Sequence, residues 1–245
     1  MKLIALISLL LLTSCGTKVV GLQQSESFNH ANIKSGRMVV GGVVDAVETM
    51  NPKTGLSYAN SLRAQIIEER PAFKVSNASY LIKKLGRKDY DKIMSELEMD
   101  GAVSEASLSL LATKAAGVRY ITFARIESNE VSNDRNEQSD TDSQGNETGK
   151  KSIITSTTRA ITVNFRVLDL KEKSTAWSGL ISKSDQEQSK FAVKSENGLI
   201  SLVKAIKGTG ETEDDKKYPF PKAPSLKGAL KQAFVGFADN LPEEE

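Results

Sequence analysis

At 245 residues, with 39% hydrophobic and 26% charged side chains, the chain has the profile of one large or two small globular domains, which excludes wholesale disorder and a polytopic membrane protein. Its 33 Lys and Arg against 31 Asp and Glu leave a formal net charge of +2, too small to recruit nucleic acid or an anionic membrane by bulk electrostatics. One Cys and one His remove the usual means of building zinc sites, disulfide frameworks, Cys/His pairs and Ser/His/Asp triads, and no carboxylate pair or nucleophile elbow stands out. The sequence therefore points to no catalytic residue, no cofactor, no metal and no small-molecule substrate.

Lys2 precedes an apolar stretch over residues 3–12 (LIALISLLLL). It falls well short of the roughly 20 residues that span a bilayer and reads as the h-region of a signal peptide. Leu12-Thr13-Ser14-Cys15 resembles the bacterial lipobox: a branched aliphatic residue, two small residues, then the cysteine that is lipidated and becomes the new N-terminus. Cys15 is thus the expected lipid attachment site, with residues 1–14 removed, since a free thiol in an exported protein has no other evident use. The two or more acyl chains that the motif implies hold a protein permanently at a membrane. Gly16, where an Asp would favour retention in the inner membrane, implies the outer membrane and its periplasmic face.

Residues 15–36, rich in Gly, Ser, Gln and Asn, have the composition of a flexible tether, able to reach at most ~70 Å; His30 within it reads as a solvated side chain. Residues 38–44 (MVVGGVV) predict a buried strand ending at Asp45, with Gly41 and Gly42 marking a bulge or a close backbone approach and not a phosphate loop. After a turn at 51–55, Leu62, Ile66 and their neighbours predict a helix over 57–69, stopped by Pro71. A brief strand at 73–75 and helical segments at 80–85, 87–99 and 107–116 follow, the last closed by Gly117. Residues 118–127 (VRYITFARIE) are too apolar for an exposed strand and predict a central one covered on both faces.

Residues 128–151 carry almost no apolar side chain and predict a mobile polar loop. Within it, Asp140, Asp142 and Gly145 imitate the opening of a calcium loop, but Lys151 stands where the closing Glu should be, so no calcium site is expected. Residues 153–170 predict a long strand, 171–174 a turn, and 175–182 its hairpin partner, with Trp177 as a core aromatic. A polar stretch at 185–188, a short helix over 197–206 and a charged loop over 208–217 come next; Asp214-Asp215 beside Lys216-Lys217 is a self-neutralising run, not a metal site. Pro219, Pro221 and Pro224 space an extended crossing. Ser225 caps a final helix whose Leu226, Leu230, Ala233, Phe234, Phe237 and Leu241 share one face, expected to pack on the sheet; Pro242 ends it before an acidic tail.

The resulting layout is a signal peptide at 1–14, a tether at 15–36, an α/β domain at 37–207, a linker at 208–224, and a C-terminal amphipathic helix with its tail at 225–245. Within this order, Ala115-Ala116-Gly117-Val118-Arg119-Tyr120-Ile121 is similar to the helix-to-strand step of the CsgG-like family of bacterial envelope lipoproteins. Phe165-Arg166-Val167-Leu168-Asp169-Leu170, a turn, then Ala176-Trp177-Ser178-Gly179 resembles that family's Arg and Asp on one strand and Trp on the hairpin return. The resemblance implies a single α/β domain with a mixed sheet flanked by helices and a long strand hairpin. With no catalytic group in evidence, the expected role is non-enzymatic, a binding or assembly module with an envelope protein or a second copy as partner; the alternatives that the resemblance implies are a subunit of a curli-type outer-membrane secretion channel and an LpoB-like activator of a peptidoglycan synthase. A channel strand needs an outward apolar face, which residues 128–158 do not offer.

Overall fold

The computed structural model describes residues 17–141, 143–193 and 213–244. The expected signal segment, Cys15, Asp142, the helix over 197–206 and the last residue of the tail lie outside them. The spine of the fold is a six-stranded mixed sheet in the order β1-β6-β5-β4-β2-β3. Its strands are β1 Val19–Gln24, β2 Met38–Asp45, β3 Val75–Ser76, β4 Tyr120–Thr141, β5 Glu147–Asp169 and β6 Ser174–Val193. β2 runs parallel to both β3 and β4, and parallel neighbours require crossovers. Helix α2 (Pro52–Glu69) supplies the first, and α3 (Ala78–Leu85), α4 (Arg87–Asp100) and α5 (Glu105–Lys114) supply the second. The β4-β5-β6-β1 half is antiparallel.

Several helices begin where a side chain satisfies a free N–H group of the first turn. Asn51 accepts from Lys53 N with Pro52 entering α2, Ser104 accepts from Ser107 N for α5, and Ser225 accepts from Gly228 N for α7 (Leu226–Asp239). The apolar stripe of α7 is buried as expected: Leu230, Phe234 and Phe237 are fully enclosed. Phe237 stacks on Phe165 of β5 at 4.6 Å and meets Trp177 of β6 edge-on at 5.0 Å. On β2, a Cβ at Gly41 would collide with the ring of Phe123, and one at Gly42 with the Met94 thioether. The paired glycines are there for close approach, and the β2–β4 register shifts between Val40 and Gly42.

Four expectations are corrected. The stretch read as a tether forms part of the fold from residue 17 onward: β1 pairs with β6, and α1 (His30–Ser35) follows. Phe28 and Ile33 are fully buried, Phe28 edge-on to Tyr120 at 5.2 Å. Apolar residues are sparse there, but Phe28 and Ile33 sit where the chain turns inward. The polar loop at 128–151 is instead the outer part of β4 and β5, whose ladder runs from Tyr120↔Asp169 out to Thr141↔Glu147. Backbone pairing, and not apolar burial, holds these strands, and β6 extends beside them to Val193 instead of ending near 182. The proline segment of the expected linker is docked on the sheet.

Candidate functional site

Beyond the helix-covered core, β4, β5 and β6 continue as a three-stranded ribbon. One face carries Asn133, Arg135 and Glu137 of β4, Ile153, Thr155 and Thr157 of β5, and Glu187, Ser189 and Phe191 of β6, fixed by the pairings Arg135↔Thr155, Thr155↔Ser189 and Ile153↔Phe191. Across this face lies a strap, residues 213–224, made of the short helix α6 (Glu213–Lys217) and the proline segment that follows. A proline segment offers carbonyls but few N–H groups, and the ribbon meets it with donors. Arg135 Nη2 donates to Tyr218 O at 3.0 Å, Thr155 Oγ1 to Pro219 O at 2.9 Å, Thr157 Oγ1 to Pro221 O at 2.8 Å and Arg159 Nε to Pro224 O at 2.6 Å. Arg135 also pairs with Asp215 at 2.7 Å and lies 4.9 Å from the Phe220 ring centre. Phe191 contacts Tyr218 at 5.8 Å between ring centres. The opposite face, with Ser132, Asp134 and Asn136 of β4, Ile154, Ser156 and Thr158 of β5, and Gln186 and Gln188 of β6, is polar apart from Ile154, and Ser156 on it is buried.

A second concavity of about 220 Å³ lies at the C-terminal end of β2 between α2 and α4, lined by Val44, Asp45, Met50, Tyr90, Asp91 and Met94 among others. Crevices at the carboxyl ends of parallel strands are common ligand sites. Here, however, the polar groups serve the fold. Asp45 Oδ1 accepts from Val47 N at 2.8 Å and Glu48 N at 3.2 Å, and the Tyr90 hydroxyl donates to Gly41 O at 2.9 Å. Burial pushes the Tyr90 phenol up to about 12, so it stays protonated and donates throughout the physiological range.

The Arg, Asp and Trp singled out on the hairpin take separate roles in the fold. Asp169 is fully buried and accepts from Arg119 and Ser27 at 3.3 Å, while its other oxygen accepts from Lys171 N at 2.9 Å. It fastens the β5–β6 turn to the start of β4. Arg166, on the other face, is half-buried, and burial lowers its basicity against the opposing pull of Glu127. Trp177 is a core residue. His30 lies at the start of α1 against the Phe73 ring, 5.3 Å between centres, and not free in a tether. Asp215 is held by Arg135. Among the described residues no group of three or more His, Cys, Asp or Glu could hold a metal ion, and no helix is long and apolar enough to cross a membrane.

The expected anchor, Cys15, precedes Thr17 by two residues, and Thr17 is fixed on the folded body. Lys183 Nζ donates to its hydroxyl at 2.9 Å, and Asn240 Nδ2 approaches its carbonyl at 3.5 Å. The strap and the held N-terminal end both escaped the sequence reading. The clustered prolines and the β-propensity of Thr155 and Thr157 were the available signals for the strap.

No protein-family model matches the chain, and no curated protein matches it. Among solved structures it is similar to the PelC dodecamer from Paraburkholderia phytofirmans, at 11% identity over 94% of this chain and 99% of that one, with a TM-score of 0.42. It is also similar to lipoprotein GNA1162 from Neisseria meningitidis (13% identity, 63% of this chain, 84% of that one, TM-score 0.34). A third likeness is to the hypothetical protein CT253 from Chlamydia trachomatis (12%, 63% and 72%, TM-score 0.30). At this distance no function follows from the likeness.

Proposed function

We propose that the chain is a lipid-anchored bacterial envelope protein, attached through Cys15 to the periplasmic face of the outer membrane, whose folded body is a non-enzymatic binding or assembly module. The observation that carries this reading is the ribbon. Strands of 22, 23 and 20 residues far exceed the usual five or six. They present a long surface, polar and largely exposed along β4 and β6, of the kind that engages another macromolecule, either an envelope protein or a second copy. The resemblance to CsgG-like lipoproteins is consistent with that role.

The length of the β4–β5 hairpin favours one second reading, a channel subunit, because ~9 to 11 residues per strand suffice to cross a bilayer. Its side chains argue against it. From Ser128 to Thr141 the only apolar residue of β4 is Val131, so neither face offers the apolar band a lipid-exposed strand requires. Two experiments test the proposal. Cys15→Ser should abolish membrane retention of the processed protein. Blue native electrophoresis of the detergent-extracted protein should then separate a ring of many subunits from a monomer, a dimer or a complex with a distinct partner. A Cys15→Ser protein that still fractionates as a mature, detergent-requiring species refutes the anchor, and a uniform high-order ring refutes the choice of module over channel.

A further inference from the structure

We infer that β1 and the surface around Thr17 are a membrane-apposed face, on which Val20 and Leu22 enter the headgroup region of the bilayer; the inference rests on the lipidation of Cys15 proposed above. The first step is reach. Thr17 is pinned by Lys183 and Asn240, and its side chain is seated against Gly236 of α7, where an added Cβ would lie 2.6 Å from the Thr17 methyl. Cys15 is two residues away, so the acylated residue lies at most ~7 Å from this point of the surface. An anchor that short cannot hold the body away from the bilayer. Whatever surrounds Thr17 faces the headgroups.

The second step is what surrounds it. Among the described residues five large hydrophobic side chains are exposed, and two of them, Val20 at 52% and Leu22 at 49%, are on β1 itself; the others are Val47, Met99 and Val131. Exposed Lys18, two residues before Val20 and on the same face of the strand, adds a cation beside them. An apolar pair beside a lysine and next to an acyl anchor has the chemistry of an interfacial contact with anionic headgroups.

The shape of β1 favours lipid over a second copy of the chain. β1 is the edge of the sheet, and a regular edge strand would template another strand. This one is irregular: Gly21 has φ +65°, and the β1–β6 register shifts between Val20 and Gln23. A bulge at an edge spoils the ladder that a second chain would need, whereas a fluid headgroup layer makes no demand on register.

The test uses the full-length lipidated protein reconstituted in vesicles of phosphatidylethanolamine and phosphatidylglycerol. The Cys15 thiol is consumed by the lipid thioether, so Val20→Cys, Leu22→Cys and Met99→Cys each carry one free thiol for an environment-sensitive fluorophore. Met99 is the reference: it is 75% exposed on α4, which packs on β2, four strands and ~19 Å across the sheet from β1. Nitroxide-bearing lipids should quench the labels at 20 and 22 several-fold more than the label at 99. Equal quenching at all three positions overturns the inference. So does shielding at 20 and 22 that grows with protein density and ignores the nitroxide, which would mean that a second copy covers β1. Intact mass of the extracted protein reads lipidation separately: an unacylated Cys15 removes the anchor, whereas an acylated protein with unquenched labels removes only the membrane-apposed face.

Discussion

Replacing Phe237 by Ala removes the side chain that ties α7 to the sheet. The ring is fully buried, lies parallel to Phe165 at 4.6 Å with 9° between planes, and is edge-on to Trp177 at 5.0 Å with 81° between planes. Truncating a buried Phe to Ala costs ~3–5 kcal/mol through lost transfer energy and the cavity left behind. Two aromatic pairs, each worth ~0.5–1.5 kcal/mol beyond area burial, place this site at the upper end. At ~2–4 °C per kcal/mol for a chain of this size, a loss of about 4–5 kcal/mol lowers the melting midpoint by about 8–20 °C. The assay is a far-UV circular dichroism melt of the Cys15→Ser protein lacking residues 1–14, with Lys231→Ala as a control on the exposed side of the same helix. The control should stay within ~2 °C of the parent. If Phe237→Ala also melts within that margin, α7 is not part of the folded core and its apolar stripe serves a partner or a membrane.

Gly41→Ala and Gly42→Ala should differ although they are neighbours. The first drives a methyl into the buried Phe123 ring, the second into the flexible end of Met94, so Gly41→Ala should cost ~1–3 kcal/mol by overpacking and Gly42→Ala clearly less, read from chemical denaturation midpoints. Arg135→Ala removes the contacts to Asp215, Tyr218 O and the Phe220 ring. At ~1.5–3 kcal/mol for hydrogen bonds from a charged donor, it should loosen the strap while leaving α7 in place, seen as faster proteolysis within 213–224 without a matching fall in the global melt. Burial raises Tyr90 and Tyr120 to about 12, with Asp169 adding to the effect at Tyr120. Unfolded Tyr titrates near ~10, so the native state holds protons that the unfolded state releases. These two groups contribute their full stability below pH ~10 and lose it as pH rises from ~10 to ~12. Tyr90→Phe should flatten that alkaline decline in denaturation midpoints measured from pH 8 to 12.

The sequence disclosed what apolar periodicity could disclose. Leu62 and Ile66 marked α2, Leu230, Phe234 and Phe237 marked α7, and the β-branched runs marked β2 and the inner halves of β4 and β5. The start of α2 was misplaced by a few residues, because Asn51 and Pro52 read equally well as a turn and as a cap with proline at the first helical position. The ribbon was illegible for a physical reason. Its strands are covered by polar contacts such as those to the strap and not by an apolar core, so they show no apolar alternation. β1 was hidden by Gly21 and the glutamines, though it carries Val19 and pairs through Gln24 with Trp177 of β6. The strap and the cleft could not be read because they depend on juxtapositions such as Thr157 with Pro221, or Asp45 with Tyr90, that no local pattern encodes.

The anchored end and the ribbon are joined by register. Val19 pairs with Ile181 in an antiparallel ladder, so the chain running back from Val19 to Thr17 advances along β6 toward Lys183, the residue that binds Thr17. The ribbon begins at the same place. From Lys183 to Val193, β6 continues for a distance of ~35 Å at roughly 3.4 Å per residue, with the strap lying against Phe191 near its far end. If Cys15 is acylated, the root of the ribbon is held within the short reach of the anchor, and its whole polar surface lies within a few tens of ångströms of the bilayer. A partner engaging it must then be at the membrane surface or be drawn to it, which is the work of a short-range assembly factor and not of a protein reaching across a wide compartment. An LpoB-like activator depends on a long tether; here the segment that composition suggested as a tether is consumed by β1 and α1. Inserting a flexible Gly/Ser stretch between Gly16 and Thr17 would restore such reach, and a partner bound at the membrane surface should lose occupancy as the insertion lengthens, in proportion to the falling effective concentration.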